Sequence, residues 1–415
     1  MTTATQTLAH DGRVLGLIGA GHLLSHFYQY TFPALILYWS VEMGVSYAAL
    51  GLVMTLFALS TGIAQMPAGM LVDRYGARPV LVIGLLITAG AMAYMSRSDG
   101  MEMIYVLAVI AGVGNSVFHP ADYVILNSSI DPSRMGKAFS LHTFSGHLGS
   151  AFAPATIIFL ATLQDWRFAL LTTGLLGVAV ALVVFLQGGI LQDDQVAKKA
   201  EAEDGRKRND GTGLGASFRL MMSKNMLLFF LFFMFASLSS GGVQSMSVVA
   251  LVDLHGIDQI SAGTALTFFL FASATGILLG GVAADKFDRH DRIAGGCFGV
   301  SALIFAGVAT WILPAAVIIF VFTIAGLAQG MIRPARDMMV RAVAPKGAAG
   351  RAFAFTSMGI AFGSGVAPVF FGYLVDQGAS NWLFWLLVGF NIIAIGTILG
   401  QGDISAKSEA KKAEG

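Results

Sequence analysis

Two clusters of ionisable residues, one in each half of the chain, have the side chains needed to handle protons and anions. His119 and Asp122 form the first cluster, and Arg333 and Arg336 stand 214 residues further on. Both clusters lie in apolar segments long enough to cross a membrane, where charged side chains are costly and usually functional. Imidazole and carboxylate groups can exchange protons, whereas two guanidiniums can bind a carboxylate, phosphonate or phosphate.

The two clusters belong to a repeated sequence. At the same spacing, the matched pairs are Gly112 and Gly326, Asn115 and Gln329, Pro120 and Pro334, Ala121 and Ala335, Gly149 and Gly363, and Pro154 and Pro368. Two parallel repeats are typical of secondary transporters. We expect Pro120 and Pro334 to kink their helices, because each removes a backbone hydrogen bond.

Composition places the chain in a membrane, since 56% of its residues are hydrophobic and 12% are charged. About 20 apolar residues suffice to span the hydrocarbon core. Twelve such segments are predicted, at roughly 14–40, 47–71, 78–97, 101–127, 136–163, 166–190, 223–251, 260–284, 291–312, 315–341, 348–376 and 380–401. The predicted fold is an all-α membrane protein with twelve transmembrane helices in two pseudo-symmetric six-helix bundles. We expect bundles at 1–190 and 223–401, a cytoplasmic linker at 191–222 and a cytoplasmic tail at 402–415.

Charge distribution and cysteine content exclude several classes of protein. Lysine and arginine concentrate in alternate loops, which predicts an inner-membrane protein with both termini in the cytoplasm. That topology explains the cations without nucleic-acid binding. The one cysteine, Cys297, excludes an intrachain disulfide and a multi-cysteine metal site, and we expect neither a metal nor a cofactor. No phosphate-binding loop or nucleophile motif indicates an enzyme, and we expect a monomer.

Residues 69–79, Gly-Met-Leu-Val-Asp-Arg-Tyr-Gly-Ala-Arg-Pro, resemble the signature loop of the major facilitator superfamily, with one basic position lost at Ala77. Segments 114–120 and 146–154 resemble the fosmidomycin-resistance type within it. The resemblance implies a latch that holds the cytoplasmic side closed, formed by Gly69, Asp73, Arg74, Gly76, Arg78 and, in the second half, Asp285. We expect the two glycines to allow close helix approach and a tight turn. The two arginines can pair with carboxylates or lipid phosphates.

Helical rise indicates which polar residues lie at one depth. His22, His119, Asp122, His142, Arg333 and Arg336 are predicted roughly 9–14 Å from the cytoplasmic face. The resemblance implies that helices 1, 4, 7 and 10 line a central cavity. The predicted solute-binding residues are Arg333, Arg336, His22, His26, Asn115, His119 and Gln329, and the predicted proton-coupling residues are Asp122, His119 and His142.

Each of these assignments has a structural alternative. Arg333 and Asp337, four residues apart on one helix, could neutralise each other. Asp122 could be a structural partner of Arg336, and a buried histidine could be hydrogen-bonded packing. His147 is assigned to packing.

The predicted function is proton-linked transport of a small anion by alternating access, with protons and a small-molecule solute as partners. The resemblance favours efflux by proton antiport. Helix 4 has Ala108 where many drug–proton antiporters have a buried arginine, which leaves import of an organic acid by proton symport open. A membrane sensor that kept the transporter fold is the alternative from another class.

Overall fold

Long apolar helices make up most of the structure, a computed structural model that describes residues 8–131, 134–192, 222–287, 289–343 and 349–400. The helices are α1 (Leu8–Met43), α2 (Tyr47–Tyr75), α3 (Ala77–Met95), α4 (Met101–Asn115), α5 (Phe118–Ser129), α6 (Met135–Leu163), α7 (Trp166–Gln187), α8 (Lys224–His255), α9 (Gln259–Lys286), α10 (His290–Thr310), α11 (Ala315–Val343), α12 (Ala349–Asp376) and α13 (Ser380–Leu399). A short 3₁₀ helix, Gly188–Ile190, follows α7.

Within the described residues, eleven spans are long and apolar enough to cross a membrane. One of them, Met101–Ser129, combines α4 and α5. The twelfth helix, α1, is long enough to cross with its 36 residues. It carries His22, Ser25 and His26 near its middle, and these polar side chains reduce its apolar character. The all-helical fold predicted from composition is therefore confirmed.

The described residues fall into two compact units. Residues 8–44 and 52–192 form the N-terminal unit, and those of 45–51 and 222–400 form the C-terminal unit. In the N-terminal unit α1 packs on α6, and α3 packs on α4 and α7. In the C-terminal unit α8 packs on α12, and α10 packs on α11 and α13. These pairs are repeat equivalents of one another. Most of the predicted linker and the predicted tail lie outside the described residues.

Glycines at repeat-equivalent positions bring helix backbones together in both units. A Cβ atom on Gly149 of α6 would lie 2.0 Å from the Leu23 carbonyl oxygen of α1. A Cβ atom on Gly363 of α12 would lie 2.5 Å from the Met234 carbonyl oxygen of α8. The other equivalent contacts are Gly112 against Phe57 and Gly326 against Phe269, at 2.4 and 2.1 Å. Only a residue without a Cβ atom permits these close backbone contacts. The same glycine contacts therefore hold equivalent helix pairs together in both units.

The two repeated prolines have different effects on their helices. Before Pro120 the helix is interrupted, because α4 ends at Asn115 and α5 begins at Phe118. Pro334 instead lies inside the uninterrupted helix α11. Where a kink was predicted, the first repeat thus has an interruption of the helix, whereas the second proline lies within a continuous helix.

We expect Gly149→Ala to destabilise the protein by about 1–3 kcal/mol, because its methyl group would overlap the α1 backbone. The matched control is Gly90→Ala in α3, where a Cβ atom would meet nothing within 4 Å. Thermal unfolding of each purified protein in detergent measures the difference. Equal melting temperatures for the two variants would show that the α1–α6 contact does not need glycine.

Candidate functional site

Asp122 lies in the interior of the N-terminal unit, in the first turns of α5. Its side chain is fully buried, and neither carboxylate oxygen has a hydrogen-bond partner among the described residues. The nearest ionisable group is His142 of α6, whose Nε2 atom lies 3.5 Å from Asp122 Oδ2. His142 is itself only 2% exposed. An ionised carboxylate in such surroundings is unfavourable unless a proton or a cation neutralises it.

His22 of α1 lies directly against His142. The two imidazole rings are stacked, with centroids 3.9 Å apart and planes inclined by 15°. His22 Nδ1 also lies 2.9 Å from the His142 carbonyl oxygen. A carbonyl oxygen can only accept a hydrogen bond, so Nδ1 carries the proton and Nε2 is left with a lone pair. That Nε2 atom is buried without a partner among the described residues.

His26 lies one turn further along α1, edge-on to His22 with ring centroids 4.8 Å apart. Its Nδ1 atom is 3.3 Å from the hydroxyl of Ser150 on α6. The ring of His147 lies 6.1 Å from that of His26. His147, assigned to packing from the sequence, and Ser150, which was not singled out, therefore border this cluster. The spacing of Ser150 eight residues after His142 places both on one face of α6 and could have revealed it.

His119 and Asn115 occupy the interrupted fourth span beside the same cluster. The exposed His119 ring lies 5.6 Å from that of His22. Asn115, the last residue of α4, accepts a hydrogen bond from the Ser25 hydroxyl at 2.6 Å. Ser25 was also missed from the sequence, although it stands between the two histidines of α1. The structure thus brings the predicted titratable residues of the first half together around α1, α5 and α6.

The predicted anion-binding residues occupy α11 of the C-terminal unit. Arg333 and Arg336 are both half-buried, and their spacing of three places them on neighbouring positions of one helix face. The Arg336 guanidinium lies 4.5 Å from the ring centre of Phe233 on α8. Gln329, one turn before Arg333, has a buried Nε2 atom without a partner among the described residues. The Asp337 side chain lies outside the described residues, so its pairing with Arg333 stays a hypothesis.

The signature loop joins α2 to α3, and the close helix approach predicted at Gly69 is not found among the described residues. A Cβ atom on Gly69 would meet only Pro120 Cβ at 3.9 Å, so no close helix approach depends on this glycine. Arg78 donates to the Phe185 carbonyl oxygen at 2.6 Å rather than to a carboxylate, because α7 ends beside it and offers free carbonyls.

The rest of the loop agrees with the expected turn. Gly76 has a φ of 97°, which a glycine adopts without strain. Asp73 is exposed, and the Arg74 guanidinium lies 5.2 Å from the Tyr75 ring centre. The Asp285 side chain, the predicted equivalent in the second half, lies outside the described residues. The latch function remains a proposal.

Comparison with known proteins decides the family. The model of the Major Facilitator Superfamily matches residues 18–252 and 229–414, which together cover nearly the whole chain. The chain belongs to the Major Facilitator Superfamily. It is therefore a multi-pass membrane transporter rather than an enzyme, as the sequence predicted.

Curated relatives include transporters of several kinds. The chain is 24% identical to the Fosmidomycin resistance protein of Escherichia coli K12 over 293 residues, 69% of each chain. It is 23% identical to a probable sulfoacetate transporter of Cupriavidus necator, over 88% of this chain and 86% of the relative. The membrane sensor protein UhpC of Salmonella typhimurium is 20% identical over 64% of this chain and 62% of its own.

Solved structures show the same fold. A bacterial homologue of the human lysosomal transporter Spinster, in an inward-facing conformation, aligns with a TM-score of 0.74 and 15% identity over 97% of both chains. The nucleoside transporter NupG aligns with a TM-score of 0.75 and 15% identity over 94% of this chain and 99% of its own.

We expect Gly146→Ala to break the His22 hydrogen bond, because its Cβ atom would lie 2.6 Å from His22 Cε1 and 2.8 Å from His26 Cδ2. Nitrogen NMR of histidine-labelled protein should show His22 as the Nδ1-protonated form in the parent chain. Assignment by His22→Gln is practical because the chain has 8 histidines. Retention of the same signal in Gly146→Ala would contradict the packing described for these rings.

Proposed function

We propose that this chain exports a small organic anion by proton antiport, using alternating access. The observation that carries the proposal is the fully buried, hydrogen-bond-free carboxylate of Asp122 beside His142 and His22. A carboxylate in that position is most easily neutralised by a proton. Asp122, His119 and His142 are the proposed proton-coupling residues, and release of their protons would alternate with release of the solute.

The solute is proposed to bind through its negative charge. Guanidinium groups bind planar oxyanions with two parallel hydrogen bonds, and Arg333 and Arg336 are the proposed anion ligands. Gln329, with its unpartnered amide nitrogen, offers a further donor on the same helix. His22, His26, Asn115 and His119 are proposed to contribute polar contacts from the N-terminal unit. The relative named for sulfoacetate transport supports an anionic solute, since sulfoacetate is an acid anion.

Two alternatives are supported by particular relatives. The similarity to a probable sulfoacetate transporter supports an organic acid as the solute, and import of such an acid by proton symport is the first alternative. The similarity to UhpC favours a sensor that binds a solute without moving it. A thermal-shift screen of organic acids, phosphonates and fosmidomycin can identify a ligand, because any ligand of the folded state raises its stability. Transport of that ligand then distinguishes the three proposed functions. Flux in proteoliposomes separates a transporter from a sensor, and the sign of the driving pH gradient separates symport from antiport.

Topology and assembly complete the proposal. We infer cytoplasmic termini from the distribution of lysine and arginine, and we propose a monomer in a bacterial-type inner membrane. The loop of Asp73, Arg74, Gly76 and Arg78, together with Asp285, is proposed to hold the cytoplasmic side closed in one state of the cycle.

Asp122→Asn is expected to uncouple transport from the pH gradient while leaving solute binding measurable. The amide cannot ionise, so position 122 stays neutral and can no longer take up and release the proton that is proposed to drive the cycle. Flux of the identified solute in proteoliposomes, with and without an imposed gradient, measures the coupling. Glu102→Gln is the matched control, because it removes an exposed carboxylate at the other end of the same span. Gradient-driven flux that is unchanged in Asp122→Asn would rule out the assigned role.

Arg333→Ala and Arg336→Ala are each expected to weaken solute binding by about 10- to 150-fold. This is the loss of one charge-assisted hydrogen bond, worth about 1.5–3 kcal/mol. Calorimetric titration of each purified variant gives the affinity, and thermal unfolding confirms that it is folded. Arg97→Ala, which removes an exposed cation of the N-terminal unit, should leave affinity unchanged. Equal affinities in all three variants would place the anion elsewhere.

A further inference from the structure

Three buried side chains of the N-terminal unit converge with free metal-ligand atoms. His22, Asp122 and His142 each offer one such atom, and these atoms all lie within 4.8 Å of one another. The three residues are 3%, 0% and 2% exposed, respectively. Both oxygens of Asp122, both ring nitrogens of His142 and Nε2 of His22 have no hydrogen-bond partner among the described residues. Buried polar atoms usually have partners, so this convergence is a candidate site for a bound ion.

The backbone around His22 prepares this ring for coordination. Its Nδ1–H group donates to the His142 carbonyl oxygen, which leaves Nε2 with a lone pair and no hydrogen-bond partner among the described residues. Imidazole ligands of metal ions usually make this kind of outer hydrogen bond, which fixes both the tautomer and the ring orientation. Gly146 packs directly beneath the ring, since a Cβ atom there would lie 2.9 Å from His22 Nδ1. The ring is thus held by contacts on α6 that do not involve the free nitrogen.

We propose that His22, Asp122 and His142 bind a divalent transition-metal ion of the zinc type. Two imidazoles and one carboxylate are a nitrogen and oxygen set suited to Zn²⁺, and three protein ligands leave one position open for water or a solute group. Bonds of about 2.0–2.1 Å place tetrahedral ligand atoms about 3.3 Å apart. His142 Nε2 and Asp122 Oδ2, at 3.5 Å, already satisfy that separation.

The ligand set also excludes other common cations. Mg²⁺ and Ca²⁺ prefer shells made of oxygen atoms, whereas this cluster offers one carboxylate and two imidazole nitrogens. Cys297, the one thiol of the chain, belongs to α10 of the C-terminal unit and takes no part. The cluster therefore fits an ion of intermediate softness that accepts imidazole.

Metal binding here is an equilibrium property and does not depend on the proposed function. It nevertheless affects that function, because an ion coordinated by Asp122 occupies the carboxylate that is proposed to carry the proton. Zn²⁺ would therefore inhibit gradient-driven flux by competing for this group, as ligands must be deprotonated to bind a metal.

The test uses the full chain, purified in detergent, freed of its affinity tag and treated with chelator. Calorimetric titration with Zn²⁺ and metal analysis after dialysis should give one ion per chain, and Mg²⁺ should give no binding. Co²⁺ should produce the visible absorption bands of a tetrahedral nitrogen and oxygen site. Asp122→Asn and His142→Gln should each weaken Zn²⁺ binding at least tenfold, and His22→Gln provides a further variant should either of them fail to fold.

His255→Gln is the matched control, because it removes a buried imidazole of α8 whose Nδ1 accepts from the Leu313 N–H. It should leave Zn²⁺ affinity unchanged. Absence of saturable Zn²⁺ binding, or binding that survives both Asp122→Asn and His142→Gln, would overturn the proposal. The metal site and the proposed proton-coupled transport can be tested independently of each other. A chain that binds Zn²⁺ but shows no proton coupling supports only the metal site. Proton-coupled flux without saturable Zn²⁺ binding supports only the transport mechanism.

Discussion

The burial of Asp122 in an apolar helical bundle is the constraint on which the arrangement of the N-terminal unit depends. A buried carboxylate must be neutralised, because its desolvation costs several kcal/mol that no hydrogen bond offsets here. The interrupted fourth span places this group against α6, and the close approach of α1 to α6 brings a second imidazole to it. The packing of α1, α5 and α6 therefore creates a site in which the Asp122 carboxylate must be neutralised by a proton or a cation.

Equivalent positions in the two repeats carry different pairs of side chains on the same arrangement of helices. Leu23 and Met234 occupy equivalent positions, since each meets the equivalent glycine of the partner helix. The residues just before them, His22 and Phe233, are therefore equivalent as well. In the N-terminal unit this position faces Asp122, within 4.8 Å. In the C-terminal unit it faces the equivalent of Asp122, Arg336, with the guanidinium 4.5 Å from the ring centre. A carboxylate beside an imidazole has thus been exchanged for a guanidinium on an aromatic face, which is a favourable pairing for a permanent cation.

Depth along a helix could be predicted from the sequence, but the rotation of one helix against another could not. A fixed rise per residue places His22, Asp122 and His142 at one level without any knowledge of packing. Which face of α6 meets α1 depends on the backbone contact at Gly149 and on the space above Gly146, which no spacing rule supplies. For the same reason the bond from Arg78 to the end of α7 was missed, since free carbonyls at a helix end are visible only once the helices are packed. The family, the twelve spans and the repeat required only pattern, whereas the bonds among the site residues required the fold.

The exchange of charge between the repeats has a mechanistic consequence for the proposed transport cycle. A carboxylate among imidazoles can become neutral without moving, because a proton on Asp122 removes the charge where it stands. A guanidinium has no such option, since it stays protonated at any physiological pH. In the C-terminal unit the Arg336 guanidinium lies on the face of Phe233, and an anion that binds there would add a second favourable contact to this cation. In the proposed cycle the N-terminal unit therefore supplies the groups that respond to a pH gradient, and the C-terminal unit supplies those that bind the solute, although both have the same repeated helical arrangement.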